Sequence, residues 1–153
     1  MTTVQPITLT PRDVEVIAGY ARGHTVARIA RRLYVSEETV RSRTHAMCKR
    51  LDIKGARQAA LVDYAYRHGH LPVASRETAG ALSQRLTQVL DCTARGLGHR
   101  ATAAELRLSV ATVRGHREQL RRCFQAQSLA QVVARAWEAG VMGPARSMGA
   151  PRS

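Results

Sequence analysis

The stretch YVSEETVRSRTHAMCKRL, residues 34–51, holds the side chains best suited to gripping something charged. Arg41, His45 and Lys49 recur at every fourth position, so a helix sets them in one row. Val40, Thr44, Met47 and Leu51 recur at core spacing and define the opposite, inward face. Arg43 adds another cation. A guanidinium carries its donors in a planar fork that matches a phosphate or a guanine edge with two bonds. The chemistry implied is recognition of a polyanion, not bond making. A charged helix face is most often simply solvated. Here the charges share a helix with a clear start, in a turn context that presents it.

The remaining reactive residue types support no competing chemistry. The 11 acidic residues are scattered. No nucleophile–base pair, glycine-rich phosphate loop or metal cluster is visible, so an enzyme is not expected, and neither is a cofactor. Cys48, Cys92 and Cys123 are odd in number and widely spaced, which argues against a zinc site or a disulfide frame. By periodicity Cys48 should face outward. His68 and His70 lack a third ligand nearby and read as an exposed helix end. Tyr64, Tyr66 and Trp137 are expected in core or interface rather than stacked on bases. No apolar run has membrane-spanning length and no secretory leader opens the chain, so a cytoplasmic protein with no membrane partner is expected.

Composition points the same way. The 153-residue chain carries a formal net charge of +13 and a sequence pI near 11.3. A globular chain this basic usually meets a polyanion. All but Lys49 and Lys54 of its 24 basic residues are arginine, a bias that GC-rich coding also produces. Hydrophobic residues make up 44% and aromatics only 4%, so the cores must be built from Ala, Val, Leu and Ile.

The elements that position these residues occur twice. LTPRDVEVIAGYARG (9–23) aligns with LSQRLTQVLDCTARG (82–96), and IARRLYVSEETVR (29–41) with TAAELRLSVATVR (102–114). The register runs without a gap to Leu51 and Phe124. Two residues are then missing from the second copy, and AALVDYAYRHGHL (59–71) aligns with AQVVARAWEAGVM (130–142). In each copy the pattern predicts four helices. In the first, Thr10 caps and Pro11 opens a helix, Asp13 sits near its dipole, and Gly23 ends it. Val14, Ile17, Ala18 and Ala21 follow at helical spacing. A short helix over about 26–33 buries Ile29, Ala30 and Leu33. Ser36 caps a third helix whose first turn carries Glu37 and Glu38. A fourth, over about 56–68, carries Ala60, Leu61, Tyr64 and Ala65. The expected units are 1–71 and 82–142, joined by a linker at 72–81 and followed by a disordered tail at 143–153.

These motifs resemble the LuxR/FixJ-type DNA-binding domain, the output module of quorum-sensing proteins and response regulators. LTPRDVEVI, RIARRLYVSEETVRSR and MCKRLDIKGARQAAL carry the resemblance in the first copy; LSQRLTQVL, ARG and LSVATVRGH carry it, more weakly, in the second. It implies an all-α chain of two tandem four-helix helix-turn-helix domains of LuxR C-terminal type. It also implies that the third helix lies in the major groove of double-stranded DNA. Arg41, Ser42 and His45 match base-contacting positions, and Ser36 and Thr39 match positions near the phosphates. The fourth helix commonly makes the dimer contact, which points to Ala60, Leu61 and Tyr64. In the second copy Arg114, Gly115 and Glu118 match the base positions, with Ser109 and Thr112 at the phosphates. Family members usually carry His where the first copy has Arg43 and an apolar residue at Thr44. The second copy has that His, His116, which counts among its expected DNA-binding residues, but Arg117 at the apolar position and Thr102 in place of Ile29. Residues 1–8 are too few for a receiver or autoinducer-sensing module.

Two functional expectations follow. One is a sequence-specific transcription regulator, with Arg41, Ser42, Arg43, His45 and Lys49 of the first copy facing DNA. The two copies would act as an intrachain pseudo-dimer, or the chain as a homodimer. Residues 71–81, extended, reach at most about 36–40 Å, enough for half-sites about 34 Å apart. The other makes the second copy an interaction module. Its Glu118 faces a groove rich in acceptors, Gly115 offers no side chain, and it would instead pair with the first copy, another chain or a transcription-machinery protein.

Overall fold

The computed structural model describes residues 9–73 and 82–143; residues 74–81 of the expected linker and 144–153 of the expected tail lie outside them. The described residues form helices and turns without strands. The first unit holds α1 (Pro11–Ala21), α2 (Val26–Leu33), α3 (Glu37–Arg50) and α4 (Arg57–Arg67). The second holds α5 (Gln84–Ala94), α6 (His99–Leu106), α7 (Val110–Cys123) and α8 (Leu129–Glu138).

The starts and stops follow local chemistry. Thr10 and Asp13 close a capping box on α1, with Pro11 opening it and Gly23 at φ +80° just past its end. The hydroxyls of Thr25 and Ser36 cap α2 and α3. Between α2 and α3 the chain turns through Tyr34 in the left-handed region, φ 57°, and Arg107 repeats that angle between α6 and α7. Asp52 and Gln125 likewise match, at 55° and 50°. The two missing residues change only the last entry: α4 starts from Ala56 with no side-chain cap, whereas Ser128 caps α8.

Three details of the expected core are corrected; on α2, Leu33 is only half-buried beside buried Ile29 and Ala30. On α1 the buried stripe is Asp13, Val16, Ile17, Gly19 and Tyr20, whereas Val14, Ala18 and Ala21 are only half-buried. Cys48 is buried, not outward, because α1, α2 and α4 all pack on α3 and widen its inner face beyond one stripe.

Each unit's core contains matched substitutions. In the first, Ile29 fits because position 19 is glycine; a Cβ there would lie 2.5 Å from Ile29 Cγ1. In the second, Cys92 stands at the glycine's position and Thr102 at the isoleucine's, both buried. In the first, Tyr20 Oη and Thr44 Oγ1 are 2.7 Å apart, and Thr44 donates its proton to Val40 O at 2.9 Å, so Tyr20 is the donor between them. In the second, Thr93 replaces the tyrosine and Arg117 fills the volume. Asp13, the ionic hub of the first unit, is replaced by buried Leu86.

The two units share one continuous apolar core. α4 packs on α8, α1 on α8, and α5 on α4. These contacts are reciprocal, as an isologous interface requires. A Cβ at Gly23 would meet the Gln131 side chain at 2.5 Å, and a Cβ at the equivalent Gly96 would meet the methyl of Ala60, the equivalent of Gln131, at 3.2 Å. Tyr66 and Trp137, also equivalent, stack on each other with ring centroids 5.8 Å apart. Such a self-pair is what a pseudo-twofold axis produces. Polar bonds lock the seam asymmetrically, the shortest of them from Trp137 Nε1, which donates to buried Asp63 Oδ1 at 2.9 Å.

Candidate nucleic-acid interface

The inward face of α3 is fixed by Val40, Thr44, Met47 and Cys48, so the opposite face must be wet. Arg41, Ser42, His45 and Lys49 are all exposed there. Arg41 keeps 58% of its side chain in solvent and meets Glu37 Oε1 at 3.1 Å one turn back. Ser42 donates to Glu38 at 3.3 Å. Exposed pairs of this kind are worth about 0.3–0.5 kcal/mol, so a base edge or phosphate can replace them. Ser36 Oγ accepts from Thr39 N at 3.0 Å and lies 2.8 Å from Thr39 Oγ1. A cleft beside this face is lined by Glu38, Arg41, His45 and Arg57.

Arg43 stands apart from the row. It is half-buried and donates through Nη1 to Asp13 Oδ1 at 3.1 Å, while Arg50 holds Oδ2 at 3.1 Å. Asp13 is only 2% exposed. Burial alone would raise its carboxyl pKa, but the Thr10 backbone N–H and the guanidiniums of Arg43 and Arg50 outweigh it and hold the group below the usual carboxylate range. These residues clamp α3 onto α1 and fix the pitch of the exposed row. The acid in an N-terminal turn reads from sequence as a dipole partner, which hides this second role.

The second unit repeats the frame with other side chains. Ser109 caps α7 with the same two distances, 3.0 Å to Thr112 N and 2.8 Å to its hydroxyl. Arg114 is exposed, and among the described residues it has no ion pair. Gly115 opens onto empty space. His116 is half-buried. Glu118 is exposed and pairs with Arg121 at 2.9 Å, which also donates to Gln127 O at 2.9 Å. Arg117 is 4% exposed and belongs to the core. It donates to Thr93 Oγ1 (3.1 Å), Leu97 O (2.7 Å) and Thr102 Oγ1 (3.2 Å), and lies 3.3 Å from His99 Nδ1. Burial, then the Arg117 and Arg114 charges, pushes the His99 pKa down, which suits a neutral ring accepting from Arg117. The Thr93 and Thr102 hydroxyls are the sequence signal for this arginine: both replace larger residues of the first copy.

Of the fourth-helix candidates, Ala60 and Leu61 are buried and Tyr64 is half-buried, its ring 4.2 Å from that of His68. Asp63, Tyr66, Gln131 and Trp137 also form the seam, and Gln131 Nε2 donates to Arg22 O at 3.3 Å. Tyr66 and Trp137 meet the expectation of core or interface; Asp63 and Gln131 were missed, though an acid inside an apolar helical run was a signal for Asp63. Elsewhere Asp91, Cys92 and Glu105 gather with ligand-type atoms within 4.8 Å of one another. Arg95 pairs with Asp91 and Glu105, taking the place a cation would fill. Burial, with the Glu105 carboxylate, pushes the Cys92 thiol up to about 11.

No helix among the described residues is long and apolar enough to cross a membrane. No curated protein and no solved structure matches the chain. The family model described as bacterial regulatory proteins, luxR family, matches residues 7–62 and matches again at 80–136. The chain therefore belongs to the luxR family of bacterial regulatory proteins and carries the family's domain twice.

Proposed function

We propose that α3 of the first unit enters the major groove, with Arg41, Ser42 and His45 against base edges and Ser36, Thr39 and Lys49 toward the phosphates. Family membership makes the chain a DNA-binding transcription regulator; which surface reads DNA is the present inference. The observation that carries it is the exposed Arg41–His45–Lys49 row on a helix whose other side is core. One bidentate arginine contact is worth about 1–3 kcal/mol of discrimination. Arg43, held by Asp13, acts by orienting α3 and adds at most a peripheral phosphate contact.

We further propose that the DNA-binding unit is the single chain, a pseudo-dimer joined through α4 and α8. The reciprocal contacts across that seam support this. Half-site spacing is then set by the seam and not by the reach of residues 71–81. The alternative, in which the second unit serves association, draws support from the same seam: α8 covers α4, the surface with which the family commonly dimerises. Binding to another transcription protein has no comparable support.

The two readings separate in a mobility-shift assay on DNA fragments selected by the intact chain. Arg41→Ala should weaken binding about ten-fold or more. A comparable loss for Arg114→Ala makes the second unit a reader; no loss makes it an association domain. If neither change matters at moderate salt, α3 is not the reader.

A further inference from the structure

We propose that the chain recognises a non-palindromic site of two unlike half-sites, and so sits on DNA in one orientation, with Glu118 selecting cytosine where the first unit presents His45. This rests on the reading of α3 as the groove-entering helix.

Three observations carry it. First, the scaffold is duplicated closely. The capping distances at Ser36 and Ser109 are the same, 3.0 and 2.8 Å. The left-handed turn before each third helix has the same φ, 57°. The two third helices are therefore presented alike. Second, the seam is isologous in its contacts, so the heads are related as those of a symmetric dimer. A homodimer on such a frame shows DNA the same side chains twice and reads a palindrome. Third, the exposed side chains on this frame differ. Arg41 and Arg114 are matched. Ser42 is matched by Gly115, His45 by Glu118, and Glu37 and Glu38 by Val110 and Ala111. Arg117 turns inward and adds nothing to the surface.

Glu118 decides the difference. An ionised carboxylate only accepts hydrogen bonds. In the major groove guanine offers acceptors alone and adenine sets its acceptor N7 beside its N6 amino group, whereas cytosine offers its N4 amino group, the usual partner of a glutamate. Repulsion from the phosphates is blunted because Arg121 pairs with Glu118, and Arg121 is itself tied to Gln127 O. Arg114 has Val110 where Arg41 has its partner Glu37, and its other acidic neighbour, Glu118, is paired with Arg121, so Arg114 has no ion pair to give up on meeting DNA. Both half-sites should therefore share a guanine under the arginine and differ at the neighbouring position.

The test is selection of bound fragments from random duplex DNA by the intact chain, then by a Gly115→Ser, Glu118→His variant. Both positions are exposed, and Gly115 has open space for a side chain. The wild type should return paired, unlike half-sites, with cytosine in the second. Replacing that cytosine should weaken wild-type binding about ten-fold. The variant should shift the second half-site toward the first and make the selected sites nearly palindromic. Palindromes from the wild type, or single half-sites, would overturn this inference and leave the first unit's reading intact. No enrichment of any sequence would overturn the reading of α3 itself. The cytosine replacement is made on wild-type protein, so it decides the matter even if the variant folds poorly.

Discussion

Asp13 and Arg117 are charged groups spent inside the protein, and each makes a prediction. Asp13 has a depressed carboxyl pKa, so its contribution to stability is complete above the unfolded value, near 3.8, and disappears as pH falls through the folded one. Asp13→Asn should cost about 2–4 kcal/mol near neutral pH, because it leaves two guanidiniums over a half-satisfied site. It should also flatten the loss of stability below about pH 4, measured by urea denaturation across pH. Arg117→Thr alone should cost a similar amount, about 2–4 kcal/mol, since it opens a cavity and strips partners from two buried hydroxyls. Adding Cys92→Gly, Thr93→Tyr and Thr102→Ile rebuilds the first unit's arrangement. The fourfold variant should recover to within about 1 kcal/mol of wild type. If it is less stable than Arg117→Thr, the matched-substitution account of the two cores is wrong.

At the scale of elements, much was legible in the sequence. Caps, the Gly23 stop and the capped start of α3 are local chemistry, and helix ends depend chiefly on local chemistry; the left-handed turns at Tyr34 and Arg107, at non-glycine residues, were not legible. What stayed hidden depends on neighbours. Cys48 reads as outward because a single stripe was assumed, yet three helices surround α3. The hold of Arg43 on Asp13 was not legible because the two lie 30 residues apart. Arg117 reads as a defect until Thr93 and Thr102 are seen to face it. The seam was foreshadowed at Ala60, Leu61 and Tyr64, and at Tyr66 and Trp137 as core or interface residues; that the two rings stack on each other, and the Asp63–Trp137 bond, need the two units side by side. Trp137→Ala should therefore destabilise both units together by about 3–5 kcal/mol in a single unfolding transition. Two separate transitions in the wild type would mean the units do not share a core.

For the whole molecule, the shared core and the charge of +13 make two demands. A chain carrying an engineered protease site within 74–80, once cut, should still elute as one particle and bind DNA with nearly the affinity of the uncut chain. Binding should weaken steeply with salt, by about a thousand-fold between 50 and 200 mM if about six phosphates are neutralised. The most direct measurement is a quantitative titration of selected duplex against random duplex, for wild type and Arg41→Ala, at one fixed salt concentration. The account predicts that Arg41→Ala loses at least about ten-fold on the selected site and little on random DNA. Equal losses on both duplexes, or none on either, would contradict it.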